Sequence, residues 1–223
     1  MFLSRIEMPW KHGGNPYELH RHIWRLFPGE DREARKAATE QRQGFLFRIE
    51  QYQTGRPVRL LVQSRRAPAP VSVAWPEAKA GPEVWLLGTR EINPRPSVGQ
   101  RLAFVLTANP VKTITDKQRD RKEGKKAETC RVPLLKEADQ REWLLRKLAS
   151  AAELEAVSVL PHQLLFFRKG RMGGKLVTVT FEGVLKVHDP DQLLSLLENG
   201  VGPAKGFGCG LLLVRRADEA GEG

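Results

Sequence analysis

Gly200, Gly202, Gly206, Gly208 and Gly210 crowd eleven residues near the end of the chain, and an apolar run over 211–214 follows them directly. Glycine at this density belongs where the backbone takes positive φ or packs against a neighbour too closely for a side chain. The apolar run behind it reads as a buried strand. Two uses fit such a stretch: a tight turn feeding a core strand, or a set of backbone amides cradling a phosphate. It is not a dinucleotide fingerprint, because Lys205 stands where the third glycine is needed. Nor does Lys175 complete a P-loop, since the upstream spacing and the following Ser or Thr are missing.

Charge narrows the partners. The 37 Lys and Arg against 26 Asp and Glu give a formal charge of +11 and a pI near 10.0. That balance favours a polyanion, nucleic acid first and an anionic membrane second. No stretch approaches the roughly 18 apolar residues of a spanning helix. Arg5 and Glu7 interrupt the apolar N-terminus, which therefore reads as a strand rather than a secretion signal, so a cytoplasmic protein is expected. Cys130 and Cys209 are far apart with no His or Cys at ligand spacing, so neither a disulfide framework nor a zinc site is expected. No motif calls for a cofactor, and no amphipathic basic helix or lipidation signal supports membrane binding.

Along the chain, residues 2–8 alternate as a first strand and residues 9–14 form a breaker-rich loop. Asn15 then stands as a helix N-cap, Pro16 at the first helical position and Glu18 where a capping-box carboxylate would reach back. The helix is predicted to run to about Phe27, with Leu19, Ile23, Leu26 and Phe27 as its buried stripe and Tyr17, His20 and Trp24 on the flank. A charged segment over 29–43 reads as loop with some helix. Residues 45–51 and 58–63 make a hairpin, 67–81 receives no assignment, and 84–87 is a short strand. Strand, helix, strand, strand, unassigned element, strand is the order of a ferredoxin-like unit.

That order defines an N-terminal domain over 1–92, a proline-stiffened linker over 93–97, a second domain over 98–216 and a disordered acidic tail over 217–223. The second domain repeats the pattern: a strand over 101–108, a helix over 137–154, strands over 164–167 and 176–187, a helix started by Asp189 and Pro190, and the glycine stretch leading into a last strand. Two basic segments punctuate it. Residues 112–126 hold seven Lys or Arg against three acidic residues and read as a mobile loop, while Arg168, Lys169, Arg171 and Lys175 lie in a short connection between strands. The fold class is α+β: two tandem ferredoxin-like (RRM-like) domains with antiparallel sheets.

A basic protein of this class points to RNA. Lys205-Gly206-Phe207-Gly208 also matches the opening of an RNP1 strand, with Cys209 at an aromatic position. Of the five histidines, His12, His20, His22, His162 and His188, only His20 sits on a helix flank beside an apolar stripe, one turn from Tyr17 and next to Arg21. An imidazole titrating near neutrality moves protons at working pH, and a phenol one turn away can orient or share the proton. No carboxylate cluster offers metal-ligand spacing nearby, so acid and base chemistry without a metal is the economical form of a nuclease. A non-catalytic RNA-binding module, in which His20 only packs, uses the same residues.

Three segments together resemble one family. Asn15-Pro-Tyr-Glu-Leu-His-Arg21 after a first strand, the stretch 102–112 with its Ala108-Asn109-Pro110 end, and the glycine loop from Gly200 to Leu213 are similar to the CasE (Cse3) family of CRISPR-associated endoribonucleases. The glycine loop marks the wider RAMP superfamily, and the Tyr-x-x-His helix narrows it to this family. The resemblance implies two tandem ferredoxin-like domains and, as substrate, the stem-loop of a CRISPR repeat. It implies cutting at the 3′ base of the stem without a metal or other cofactor, leaving a 2′,3′-cyclic phosphate. It further implies that the mature crRNA stays bound and that the partners are the other subunits of the type I-E Cascade complex. By position, His20 and Tyr17 match the catalytic pair. Arg21, Lys112, Arg168, Lys169, Arg171, Lys175 and Lys205 are the expected RNA contacts, and Cys209 has a packing role.

Overall fold

The computed structural model describes residues 1–28, 44–69, 85–115, 129–161 and 163–217. The charged segment 29–43, most of the unassigned stretch 67–81, the greater part of the basic run 112–126, His162 and the tail from 218 lie outside the described residues.

The first half builds a four-stranded sheet from β1 (Phe2–Met8), β2 (Phe45–Gln51), β3 (Val58–Ser64) and β4 (Trp85–Glu91). Its order is β2-β3-β1-β4 and every pairing is antiparallel, as in a ferredoxin-like unit. Alternation sets which side of each strand is buried: Ile6 and Met8, Phe45 and Phe47, and Val58, Leu60 and Val62 share one core. That core is closed by α2 (Pro16–Trp24) through Leu19 and Ile23, with Leu26 and Phe27 completing the predicted stripe. Burying a leucine of this kind stabilises by about 1.5–3 kcal/mol.

The second half repeats the plan with β5 (Arg101–Ala108), α3 (Glu137–Leu148), β8 (Ala152–Val159), β10 (Met172–Val187), α4 (Pro190–Asn199) and β11 (Leu212–Arg216). Strand order β11-β5-β10-β8 is again that of a ferredoxin-like unit, with its own core around Phe104, Leu106, Trp143, Leu144, Phe181 and Leu193. β10 is 16 residues long because it serves two sheets. Residues 179–187 pair inside the main sheet, while 172–178 project from it as a hairpin with β9 (Gln163–Lys169).

Several local expectations are corrected. The breaker-rich loop contains a single helical turn, α1 (Trp10–Gly13). α2 tightens after Trp24 into i→i+3 bonds, with the Leu26 and Phe27 amides donating to Ile23 and Trp24 carbonyls at 3.0 Å. The Glu18 carboxylate pairs with Arg21. Val111–Thr115, at the start of the supposed basic loop, is strand β6 paired with β7 (Thr129–Pro133). The helix predicted over 137–154 stops at Leu148, and residues 152–159 are β8. Its Ala and Glu residues favour helix, but pairing with β10 overrides that preference. Lys205–Phe207 is one 3₁₀ turn, so the RNP1 match does not fall on a strand.

The two halves meet at the end of α4, where the last carbonyls of a helix lack intrahelical partners. The Gln63 amide, from β3, donates to the Leu197 carbonyl at 2.6 Å in a buried setting. Arg65 reaches Glu198 at 3.0 Å on the rim. Gln63→Ala should leave that carbonyl unsatisfied and cost about 1–3 kcal/mol. For a chain of this size the melting temperature should fall by about 2–4 °C per kcal/mol in calorimetry, and an unchanged value would show that the bond contributes nothing.

Candidate nucleic-acid interface

Asn15 performs the predicted capping and a second task. Its Oδ1 accepts the Tyr17 amide at 3.3 Å, the N-cap bond. The same oxygen accepts the Arg168 amide at 3.1 Å, and Nδ2 donates to the Arg168 carbonyl at 2.9 Å. A single side chain therefore starts α2 and fastens it to the β9–β10 hairpin of the other half. Just before it, the Tyr52 hydroxyl donates to the Gly14 carbonyl at 2.7 Å and fixes the approach to the helix.

One turn on, Tyr17 lies among Phe167 of the hairpin and Phe207 of the glycine stretch, with ring centroids 6.3 and 6.2 Å away. Phe167 and Phe207 themselves approach to 4.7 Å. His20 occupies the next turn, between Phe45 at 5.0 Å and Trp24 at 6.0 Å. The glycine stretch completes its shelter, since a Cβ at Gly206 would come within 3.9 Å of the ring. Burial pushes the His20 imidazole below its ordinary pKa, which leaves it neutral at pH 7 and able to accept a proton.

The glycine stretch reaches this position through positive-φ backbone that glycine adopts without strain. Gly200 has φ of 74°, and a Cβ there would meet Leu46 of β2 at 2.8 Å and the Gly210 carbonyl at 2.9 Å. Gly202, Gly208 and Gly210 also have positive φ. The Val201 amide donates to the Gly210 carbonyl at 2.8 Å, closing the loop on itself. Lys205 is turned inward. Its ammonium donates to the Asn199 carbonyl at 2.6 Å, at the negative end of α4, and burial followed by the charge of Lys147 lowers its pKa. Cys209 is buried and its thiol is pushed up to about 12, which keeps it protonated and inert.

Cations stand on α2 and on the hairpin that Asn15 fastens to it. The Lys169 ammonium sits 5.8 Å from the Tyr17 ring centroid. Arg21 is exposed and paired with Glu18, a surface pair that an incoming anion can replace. Arg168, Lys169 and Lys175 lie on the hairpin strands, and Arg171 is in the connecting turn. Lys112 stands on the β6–β7 ribbon. That ribbon leaves β5 beside the base of the hairpin, where Asn109 donates to the Val177 carbonyl at 2.6 Å. Among the described residues no three His, Cys, Asp or Glu side chains converge as a metal would need, and no helix is long and apolar enough to cross a membrane.

Sequence reasoning missed Phe167, Phe207 and Phe45, which make the walls of the site. Phe207 carried a signal, because an aromatic inside a glycine loop has to pack on something; the other two are ordinary strand residues until the halves come together.

A sequence model of the family described as CRISPR associated protein matches residues 1–216. The chain is 37% identical over 212 residues to the CRISPR system Cascade subunit CasE of Escherichia coli strain K12, covering 95% of this chain and 98% of that protein. The crystal structure of the CRISPR-associated protein Cas6e from Escherichia coli K-12 aligns over 97% of this chain and 100% of that one, at 34% identity and a TM-score of 0.77. A structure of CRISPR endoribonuclease Cse3 bound to 19 nt RNA aligns over 96% of this chain and 100% of that one, at 30% identity and a TM-score of 0.71. With agreement of sequence and topology over almost its whole length, the chain belongs to the CasE (Cse3) family of CRISPR-associated proteins.

Proposed function

We propose that this protein is a CRISPR RNA-processing endoribonuclease. It binds the repeat stem-loop, cuts precursor RNA at the 3′ base of the stem, and keeps the mature crRNA as a subunit of a cytoplasmic type I-E Cascade complex. One observation carries the reading: His20, sheltered and neutral, lies where the capped helix, the glycine stretch and the basic hairpin meet. The names of the relatives, an endoribonuclease bound to RNA and a Cascade subunit, support it.

The chemistry follows from a neutral imidazole beside cations. His20 takes the proton of the 2′-hydroxyl next to the scissile phosphate, and that oxygen attacks phosphorus as the bond to the 5′-oxygen breaks. The products are a 2′,3′-cyclic phosphate and a 5′-hydroxyl, whose proton comes from Tyr17 or water. Arg21 and the hairpin cations Lys169 and Arg171 hold the RNA in line and offset charge on phosphorus. An internal 2′-hydroxyl nucleophile needs no metal-bound hydroxide, and no cofactor enters the scheme.

Four results are expected. His20→Ala should lower the cleavage rate about 10²- to 10⁴-fold while stem-loop affinity stays within a few-fold. In the wild type, kcat/KM should hold at neutral pH and fall as acidification protonates His20, with the limb below the ordinary histidine value of about 6.5 because burial lowers it. A limb falling toward alkaline pH in that range would make His20 the acid instead, and an unaffected His20→Ala would leave the RNA-binding module as the answer.

A single 2′-deoxy substitution at the cut nucleotide should stop cleavage in EDTA without loosening the stem-loop, and a strict Mg²⁺ requirement would sink the mechanism. Asn15→Ser retains a capping oxygen but cannot span to Arg168. It should reduce single-turnover cleavage about 10- to 100-fold with the melting temperature nearly unchanged, and wild-type cleavage would show that fastening α2 to the hairpin is not needed.

A further inference from the structure

The β9–β10 hairpin has two faces, and the site described above uses one. Phe167 and Lys169 turn toward Tyr17. Alternation sends Phe166 and Arg168 to the other face, where the cross-strand register sets Lys175 opposite Phe166 and Gly173 opposite Arg168. Phe166 is 65% exposed there. It helps to line an open cavity of about 540 Å³ with Arg168, Lys175 and Gly173, and Phe167 and Gly174 also border it.

The two adjacent glycines divide the work. A Cβ at Gly174 would run into the Phe167 ring, so that position serves packing on the Tyr17 side. A Cβ at Gly173 would meet nothing within 4 Å, so the strand surface beside Arg168 is bare. Neither Arg168 nor Lys175 has a carboxylate partner among the described residues. An exposed ring between two unpaired cations, above a floor without side chains, is poorly matched to an apolar protein surface. It suits a flat aromatic ligand that carries negative charge. RNA offers that combination only where a base is unpaired, because a duplex hides the faces of its bases in the stack.

We propose that Phe166, flanked by Arg168 and Lys175, is the stacking platform for one unpaired nucleotide next to the repeat stem, with the two cations holding its phosphates. The proposal rests on the RNA-binding reading above and adds a contact to single-stranded RNA on the outer side of the hairpin.

The test uses the full-length protein and a synthetic repeat stem-loop with single-stranded flanks, alongside a series in which each flanking nucleotide in turn is made abasic. Phe166→Ala should weaken binding of the intact RNA about 5- to 100-fold, the range of one base–aromatic stack. Phe166→Leu should lose most of that affinity too, whereas Phe166→Trp should keep it. One abasic position should reproduce the loss with wild-type protein and cause no further loss with Phe166→Ala. The proposal is overturned if Phe166→Ala binds like wild type, if Phe166→Leu is as good as wild type, or if every abasic position adds its cost to that of Phe166→Ala. Wild-type protein that binds no form of the stem-loop would sink the RNA reading itself. The wild-type abasic series reads the same contact should any variant fail to fold.

Discussion

Everything in the site depends on the Asn15 side chain, which forms hydrogen bonds in two directions at once. As an N-cap it meets one of the orphan amides that open α2, and as a clasp it pairs with both backbone groups of Arg168. The position of His20 relative to the basic hairpin is therefore fixed by one short amide, with two rotatable bonds, rather than by a flexible linker. In the proposed reaction the gripping and cutting elements come from different halves of the chain, and reaction rates fall steeply with misplacement on the order of 1 Å. A cap residue shared between halves turns a local rule of helix formation into a long-range distance constraint.

The C-terminal end of α4 supplies the second fixed point. Its orphan carbonyls are met by three groups: the Gly200 amide on Leu196 at 2.9 Å, Gln63 on Leu197 at 2.6 Å, and the Lys205 ammonium on Asn199 at 2.6 Å. One of these comes from the N-terminal sheet and two from the glycine stretch, so the helix end locks the halves and the loop together. Positive φ at Gly200 lets the chain turn there while Leu46 of β2 presses against it. The loop is then rigid enough for Gly206 to form one wall around His20, which suits the turn-before-a-strand reading of this stretch.

Much of this was legible in the sequence where the signal is local. Asn15-Pro16 and Asp189-Pro190 mark helix starts by cap chemistry alone, and Asp189 does accept the Asp191 and Gln192 amides. The stripe Leu19, Ile23, Leu26 and Phe27 and the hairpin of β2 and β3 follow from periodicity. The strand β8 was not legible, because Ala152, Glu153, Leu154 and Glu155 are good helix formers and only pairing with β10 makes them extended. The walls of the site escaped for the same kind of reason. Phe45, Phe167 and Phe207 are separated by more than a hundred residues or sit in a 3₁₀ turn, and no local pattern predicts that they converge. Lys205 reads as a free cation until the helix end that takes its ammonium is seen.

The remaining step concerns how a protein of charge +11 keeps one basic side chain uncharged. A positive surround and burial act in the same direction on an imidazole: both disfavour the protonated form. For His20 burial is the cause, through Phe45, Trp24 and the close approach of Gly206. The cations proposed to attract RNA therefore do not need to touch the histidine to suit its proposed chemistry. They stand on the hairpin and at Arg21, where phosphate can replace weak surface pairs, while the imidazole waits neutral behind aromatic walls. Under the proposed mechanism, separating the charge that binds from the group that reacts lets one small site hold a polyanion tightly and still take a proton from it.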